Sequence, residues 1–130
     1  MNVVSEEENI YPVLIIDDEI DLCCLLQDIC RKKGLKARSA NNLKEAGKEL
    51  ARDPRLIFLD NNLPDGLGLE FIPTIRGRSQ NSCIIMISAE NTGGLKEKAF
   101  RLGVNYFLSK PFDFTDVSHL IDKLASQPTN

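Results

Sequence analysis

At 130 residues the chain has room for one domain with one core and not for two ordinary ones. Hydrophobic residues make up 42% and charged residues 27%, a balance that excludes a disordered segment. A net charge of −3 gives no general affinity for nucleic acid or anionic membranes, no apolar run approaches a membrane span, and the first eight residues are not a signal peptide, so a cytoplasmic protein is expected.

In chain order, residues 1–11 are polar and acidic and read as a loose arm before the folded unit of 12–126, with 127–130 as a tail. Val13–Ile16 is continuously apolar, the mark of a strand buried on both faces. Glu19–Lys33 carries Leu22, Leu25, Leu26 and Ile29 at helical spacing and stops at Gly34, with three basic residues at the negative end of the helix dipole. Lys36–Ser39 is a weak edge strand. Asn42–Arg52 is a helix with Asn41 or Asn42 as its cap and Leu43, Ala46 and Leu50 on one face.

Leu56–Asp60 is the third strand, and a helix from about Leu67 to Arg76 follows despite Pro73. Ser82–Ile87 is another buried strand, Leu95–Leu102 a helix stopped by Gly103, Tyr106–Leu108 a strand and Thr115–Ser126 an amphipathic helix. This βα rhythm predicts five parallel strands with helices on both faces, joined by right-handed crossovers. The cysteines Cys23, Cys24, Cys30 and Cys83 show no metal or redox spacing and read as buried reduced thiols. His119, the one histidine, reads as an ordinary solvated or half-buried residue of the last helix.

Function in such sheets sits at the carboxyl ends of the strands. Asp17 and Asp18 follow the first strand, Asp60 ends the third, Ser88 ends the fourth and Lys110 follows the fifth. Carboxylates so close repel, and a divalent cation relieves the repulsion; an acidic, oxygen-lined cleft of this size suits Mg²⁺. Beside such an ion a carboxylate can attack a phosphoryl group to give an acyl phosphate, with Lys110 and Ser88 as cation and hydroxyl for the transferring oxygens.

The segments Asp17-Asp18-Glu19, Asp60-x-x-Leu63-Pro64-x-x-x-Gly68, Ser88-Ala89 and Gly103-x-x-x-Phe107-x-x-Lys110-Pro111-Phe112, in this order, resemble the receiver domain of two-component response regulators over about residues 12–126. The resemblance implies a flavodoxin-like (βα)5 fold with strand order 2-1-3-4-5. It implies that Asp60 accepts phosphate from a histidine kinase or phosphotransfer protein, and that Asp17, Asp18, Asp60 and the backbone carbonyl of Asn62 hold Mg²⁺. Lys110 would pair with a phosphoryl oxygen, the Lys110–Pro111 bond would be cis, and Ser88 with Phe107 would form the switch. Such a protein is not an enzyme on other substrates; it catalyses only its own phosphorylation and dephosphorylation.

Family members often carry Thr and Tyr at the two switch positions, so Ser88 and Phe107 imply a working switch with a drier output face. Asn62 and Glu90 form a polar rim resembling that of single-domain chemotaxis regulators, which points to fast self-dephosphorylation. Lys96, Lys98 and Arg101 against Asp113, Asp116 and Asp122 suit solvated faces or a weak phosphorylation-dependent dimer.

Three other readings compete. An aspartate-nucleophile phosphohydrolase usually has a second acid two residues after the nucleophile, where this chain has Asn62. A dinucleotide-binding domain would need a GxGxxG turn after the first strand, which is lacking. A docking module without phosphorylation fits poorly with an intact acidic set. The chain also reads as the receiver part of a longer regulator with its output domain outside these residues, which hold no DNA-binding or enzymatic motif.

Overall fold

A computed structural model describes residues 12–90 and 93–125. The expected acidic arm and tail lie outside the described residues. The elements run β1 (Pro12–Ile16), α1 (Ile20–Lys32), β2 (Lys36–Ala40), α2 (Leu43–Glu49), β3 (Leu56–Asp60), α3 (Gly68–Arg78), β4 (Cys83–Ser88), α4 (Gly93–Leu102), β5 (Tyr106–Ser109) and α5 (Phe114–Ala125). All five strands are parallel in the order β2-β1-β3-β4-β5, as the resemblance implied. A two-residue ladder, Asn62–Leu63 against Gly66–Leu67, folds the loop after β3 back on itself.

The sheet divides two cores. Leu14, Ile16, Ile57, Ile84 and Met86 face α2, α3 and α4, while Val13, Ile15, Phe58, Ile85 and Ile87 face α1 and α5. This is why the central strands are apolar at every position: side chains alternate between faces, and both faces are covered. Only β2, the edge strand, is largely exposed, which explains its weak apolar signal.

Three expectations are corrected. The inward stripe of α1 is Cys23, Leu26, Ile29 and Cys30, and Leu25 is 39% exposed. Cys24 is likewise exposed, one helical step from buried Cys23, and Cys83 is half-buried, so only two of the thiols are core residues. The helix expected over 42–52 ends at Glu49 and tightens into a 3-10 turn at Leu50–Arg52, closed by Asp53 in the left-handed region at φ 57°. Asn42 is the cap, its side chain accepting from the Glu45 N–H at 2.7 Å. α3 runs through Pro73, which lies on its exposed side.

Arg76 joins the far ends of three elements. Its guanidinium donates to the carbonyls of Gly103 (2.7 Å) and Ser82 (2.8 Å) and to Asn105 Oδ1 (2.9 Å). Asn105 Oδ1 in turn accepts from the Ile84 N–H. Gly103, at φ 117°, also leaves the space Arg76 occupies: a Cβ there would stand 2.9 Å from its Nε.

At the start of α3, Gly68 has a different constraint. A Cβ would fall 2.2 Å from the Asp60 carbonyl oxygen, which is backbone and cannot swing aside. Gly77, on the same helix, has nothing within 4 Å. Urea unfolding should therefore separate the two glycines. Gly68→Ala should cost about 2 kcal/mol or more, and Gly77→Ala should stabilise by about 0.5–1 kcal/mol.

Candidate functional site

Each functional position lies where a buried strand ends and its backbone pairing fixes the next residue. Asp17 follows β1, held by its own N–H to Ala40 O (3.0 Å), and its carbonyl accepts from Asn41 Nδ2 (3.1 Å) and Cys23 Sγ (3.2 Å). Asp60 is the last residue of β3, paired with Ile87 of β4. Lys110 follows β5, with its N–H on Ser88 O at 2.9 Å. Its bond to Pro111 is cis, as the resemblance implied.

Of the five expected positions, the side chains of Asp17, Asp60 and Lys110 are brought together. Lys110 Nζ stands 3.6 Å from Asp17 Oδ2 and 3.6 Å from Asp60 Oδ1, and it is hydrogen-bonded to Glu19 Oε1. Carboxylate oxygens of Asp17, Glu19 and Asp60 lie within 4.8 Å of one another. Asp17 and Asp60 are buried. Asp18 is exposed and stands outside this trio, yet its charge is near enough to push both buried carboxyls upward.

Burial, and then the charge of Asp17, raises the Asp60 carboxyl to about 6, against the opposing pull of Lys110 and the Asn62 N–H. Burial also raises Asp17, while a hydrogen bond from the Glu19 N–H (2.8 Å) lowers it. Desolvation works against the Lys110 charge, but the hydrogen bond to Glu19 and the charges of Asp17 and Asp60 outweigh it and hold the ammonium above its ordinary range. The site is thus overcharged with carboxylate and short of cation.

Asp17 Oδ2 is the one buried side-chain N or O atom without a hydrogen-bond partner among the described residues. An orphaned carboxylate oxygen within a cluster of hard oxygen donors is what a small divalent cation would satisfy. The residues therefore fit Mg²⁺.

Ser88 is buried, and its hydroxyl accepts from the Glu90 N–H at 3.0 Å. Phe107 is half-buried in the core with α2, α3 and α4, whereas Tyr106 packs in the other core and has Lys123 Nζ 5.9 Å from its ring centre. Asn62 and Glu90 are both exposed at the rim. His119 is exposed, as expected.

Two residues of the site escaped the sequence reading. Glu19 was visible only as the third acid of Asp17-Asp18-Glu19, and its contact with Lys110 spans 91 positions. Asn61 is buried, and its side chain accepts from the Leu69 N–H (3.0 Å) while its carbonyl accepts from Gly68 N (2.8 Å), so it ties the acceptor loop to α3. A polar residue directly after Asp60 was the available signal.

A parallel sheet of this order, with an acidic pocket and a lysine at its carboxyl edge, defines a receiver-type signalling fold. The sequence model of the response regulator receiver domain matches residues 13–122, and the chain belongs to that family. Response regulator protein PilR of Pseudomonas aeruginosa is 38% identical over 109 residues, which are 83% of this chain and 24% of PilR. The KDP operon transcriptional regulatory protein KdpE of Escherichia coli is 38% identical over 101 residues, 77% of this chain and 44% of KdpE. The chain thus spans less than half the length of these curated relatives.

Among solved structures, the beryllofluoride-activated NtrC4 receiver domain dimer superimposes with a TM-score of 0.82 at 32% identity, covering 89% of this chain and 96% of that one. A two-component response regulator from Clostridium difficile gives 0.82 at 28% identity, covering 91% and 98%.

The raised carboxyls carry a pH dependence with a definite sign. A carboxyl whose folded value lies above its unfolded value of 3.8 binds protons more tightly when folded. Its stabilising contribution is present below that value and lost as pH rises through about 6. In chelator, stability should therefore fall by on the order of 2–3 kcal/mol from the Asp60 carboxyl between pH 4 and 7. Asp60→Asn should flatten this fall, and Mg²⁺ should restore stability at pH 7; denaturant titrations at several pH values read all three.

Proposed function

We propose that this receiver domain accepts a phosphoryl group on Asp60, with Mg²⁺, from a histidine kinase or histidine phosphotransfer protein. The observation that carries the reading is the placement of Asp60, buried between Asp17 and Lys110, beside the unpartnered Asp17 Oδ2. Asp17, Asp18, Asp60 and the Asn62 carbonyl would hold the ion, which neutralises phosphoryl and carboxylate charge when bound. At pH 7 most Asp60 is ionised, as a nucleophile must be, since its carboxyl titrates near 6.

An Asp60 oxygen attacks phosphorus, the bond from phosphorus to the donor imidazole nitrogen breaks, and the imidazole keeps that electron pair and takes a proton. Lys110 then pairs with a phosphoryl oxygen. Water later attacks phosphorus, and the Asp60 oxygen leaves as carboxylate. The chain acts on itself and regenerates its starting state, so it is no enzyme for other substrates.

For the switch, Ser88 exchanges its bond with the Glu90 N–H for one to the phosphoryl group, and Phe107 follows inward. Asn62 and Glu90, both exposed, leave the phosphoryl group open to water. The donor docks on α1 and the loop after β5, where Ile20 is 71% exposed and Leu25 and Phe114 are also uncovered. The protein is a monomer or a weak phosphorylation-dependent dimer through α4, β5 and α5. Asp122 is less available for that surface than its sequence position suggested, because it pairs with Lys33, just past the end of α1, at 2.7 Å.

A second reading has its own support. PilR, the regulator CitB of Klebsiella pneumoniae (34% identical) and KdpE are each much longer than the matched segment, 24%, 49% and 44% of them being covered. The same receiver would then control an output domain outside these residues. No described helix is long and apolar enough to cross a membrane.

Incubation with a small-molecule phosphodonor, followed by intact mass, tests the acceptor. The expected result is one phosphoryl adduct that needs Mg²⁺ and is absent from Asp60→Asn. The absence of both an adduct and beryllofluoride binding would leave a phosphorylation-independent docking module. Asn62→Leu or Glu90→Leu should lengthen the adduct's lifetime by about tenfold, below the roughly 10²–10⁴-fold of a full general acid–base contribution because each only helps position the water. An unchanged lifetime in both would remove the polar-rim explanation.

A further inference from the structure

Lys110 is held by an acid that neither the acceptor nor the metal set requires. Its ammonium is hydrogen-bonded to Glu19 Oε1, while the nearest oxygens of Asp17 and Asp60 are both 3.6 Å away, beyond hydrogen-bond distance. Glu19 precedes the first turn of α1, in extended conformation at φ −84° and ψ 108°, and its side chain makes no capping bond. Its backbone is tied to the site, with the N–H donated to Asp17 Oδ1 at 2.8 Å. Its carboxylate is 59% exposed, in contrast to the 1% and 5% of Asp17 and Asp60. Glu19 thus has a fixed base, a solvated charged end and one firm partner, the lysine.

That geometry matters when a phosphoryl group arrives. An ammonium is a compact point charge that must move bodily to a new anion, because it cannot span two distant ones as a guanidinium fork can. With its one side-chain hydrogen bond on Glu19 and Asp60 Oδ1 3.6 Å away, Lys110 must shift toward Asp60 and loosen its hold on Glu19 to bond an oxygen carried there. We infer that Glu19 is a counter-ion latch: it parks Lys110 at the mouth of the site and competes with the phosphoryl group for it. Glu19 is a positioning residue here and not a metal ligand. The inference rests on the reading of Asp60 as the phosphoryl acceptor.

A rival role follows from the same coordinates, since the Glu19 carboxylate lies within 4.8 Å of those of Asp17 and Asp60 and could be a third metal ligand. The existing pairing decides against it, since the Glu19 carboxylate is already hydrogen-bonded to Lys110. The unpartnered oxygen is on buried Asp17, whereas Glu19 is both solvated and already paired.

Calorimetric titration of the whole chain with Mg²⁺ alone, and with beryllofluoride in excess Mg²⁺, distinguishes the two. Wild type would be compared with Glu19→Gln, Glu19→Asp, Lys110→Met and the Glu19→Gln/Lys110→Met double variant, each checked for folding by circular dichroism. The latch predicts that Glu19→Gln binds beryllofluoride about fivefold more tightly, the upper range for one exposed ion pair. Mg²⁺ affinity alone should change less than about twofold, within the reach of a weak exposed charge. Glu19→Asp should fall between, and the gain should vanish once Lys110 is Met, as required of a pairwise coupling.

A tenfold loss of Mg²⁺ affinity in Glu19→Gln would assign Glu19 to the metal and overturn the latch. So would an unchanged beryllofluoride affinity, or an equal gain without Lys110, which marks a general field effect. Wild type that binds no beryllofluoride at all would overturn the acceptor reading itself, and the latch with it. That outcome is distinct from a failure confined to the Glu19 comparison.

Discussion

The molecule is organised around an electrostatic problem at one edge of its sheet. Two buried carboxylates, Asp17 and Asp60, share a single ammonium with exposed Glu19. Burying such charges is costly, and attraction to one lysine does not offset the cost in full, as the upward displacement of both buried carboxyls records. The surrounding fold can tolerate this because the strands beneath are apolar on both faces. The strain is located where a divalent cation would relieve it, and a site kept short of positive charge favours that ion.

The supporting structure works to hold the carboxylates still. Asn61 ties the acceptor loop to α3, Gly68 allows that helix to begin against the Asp60 carbonyl, and Asn41 with Cys23 fixes the Asp17 carbonyl. On the same loop, Asp65 accepts from the N–H groups of Leu43 and Lys44 at 2.8 and 3.0 Å, joining the loop after β3 to the start of α2. The Asp65 carboxyl is held below its ordinary range, first by the Leu43 N–H. These bonds connect residues distant in sequence, so the site is a property of the assembled sheet.

Much of the fold was legible because its signals were local. Continuous apolar runs such as Leu56-Ile57-Phe58-Leu59 mark strands covered on both faces, and Asn42 and Gly103 mark helix ends by their own backbone demands. The convergence of Asp17, Asp60 and Lys110 was also legible, because parallel topology places strand ends together. Legibility failed where a side chain's fate depended on a remote partner. Glu19 stood out only as the third acid of Asp17-Asp18-Glu19, and it reaches Lys110. Leu25 fits the apolar period of α1, but Cys23, Leu26, Ile29 and Cys30 take the inward stripe. The end of α2 depended on a 3-10 turn and a left-handed Asp53, for which the local sequence gave no clear mark.

The division of the interior into two cores bears on direction. Phe107 and Tyr106 are adjacent in β5, yet one packs with α2, α3 and α4 and the other with α1 and α5. A displacement of Phe107 therefore disturbs the first compartment directly and reaches the second only through a strand hydrogen-bonded to its neighbour. The sheet acts as an insulating partition. If Phe107 moves as proposed, the disturbance falls first on the side of α2, α3 and α4 and crosses to α1 and α5 only through the shared strands.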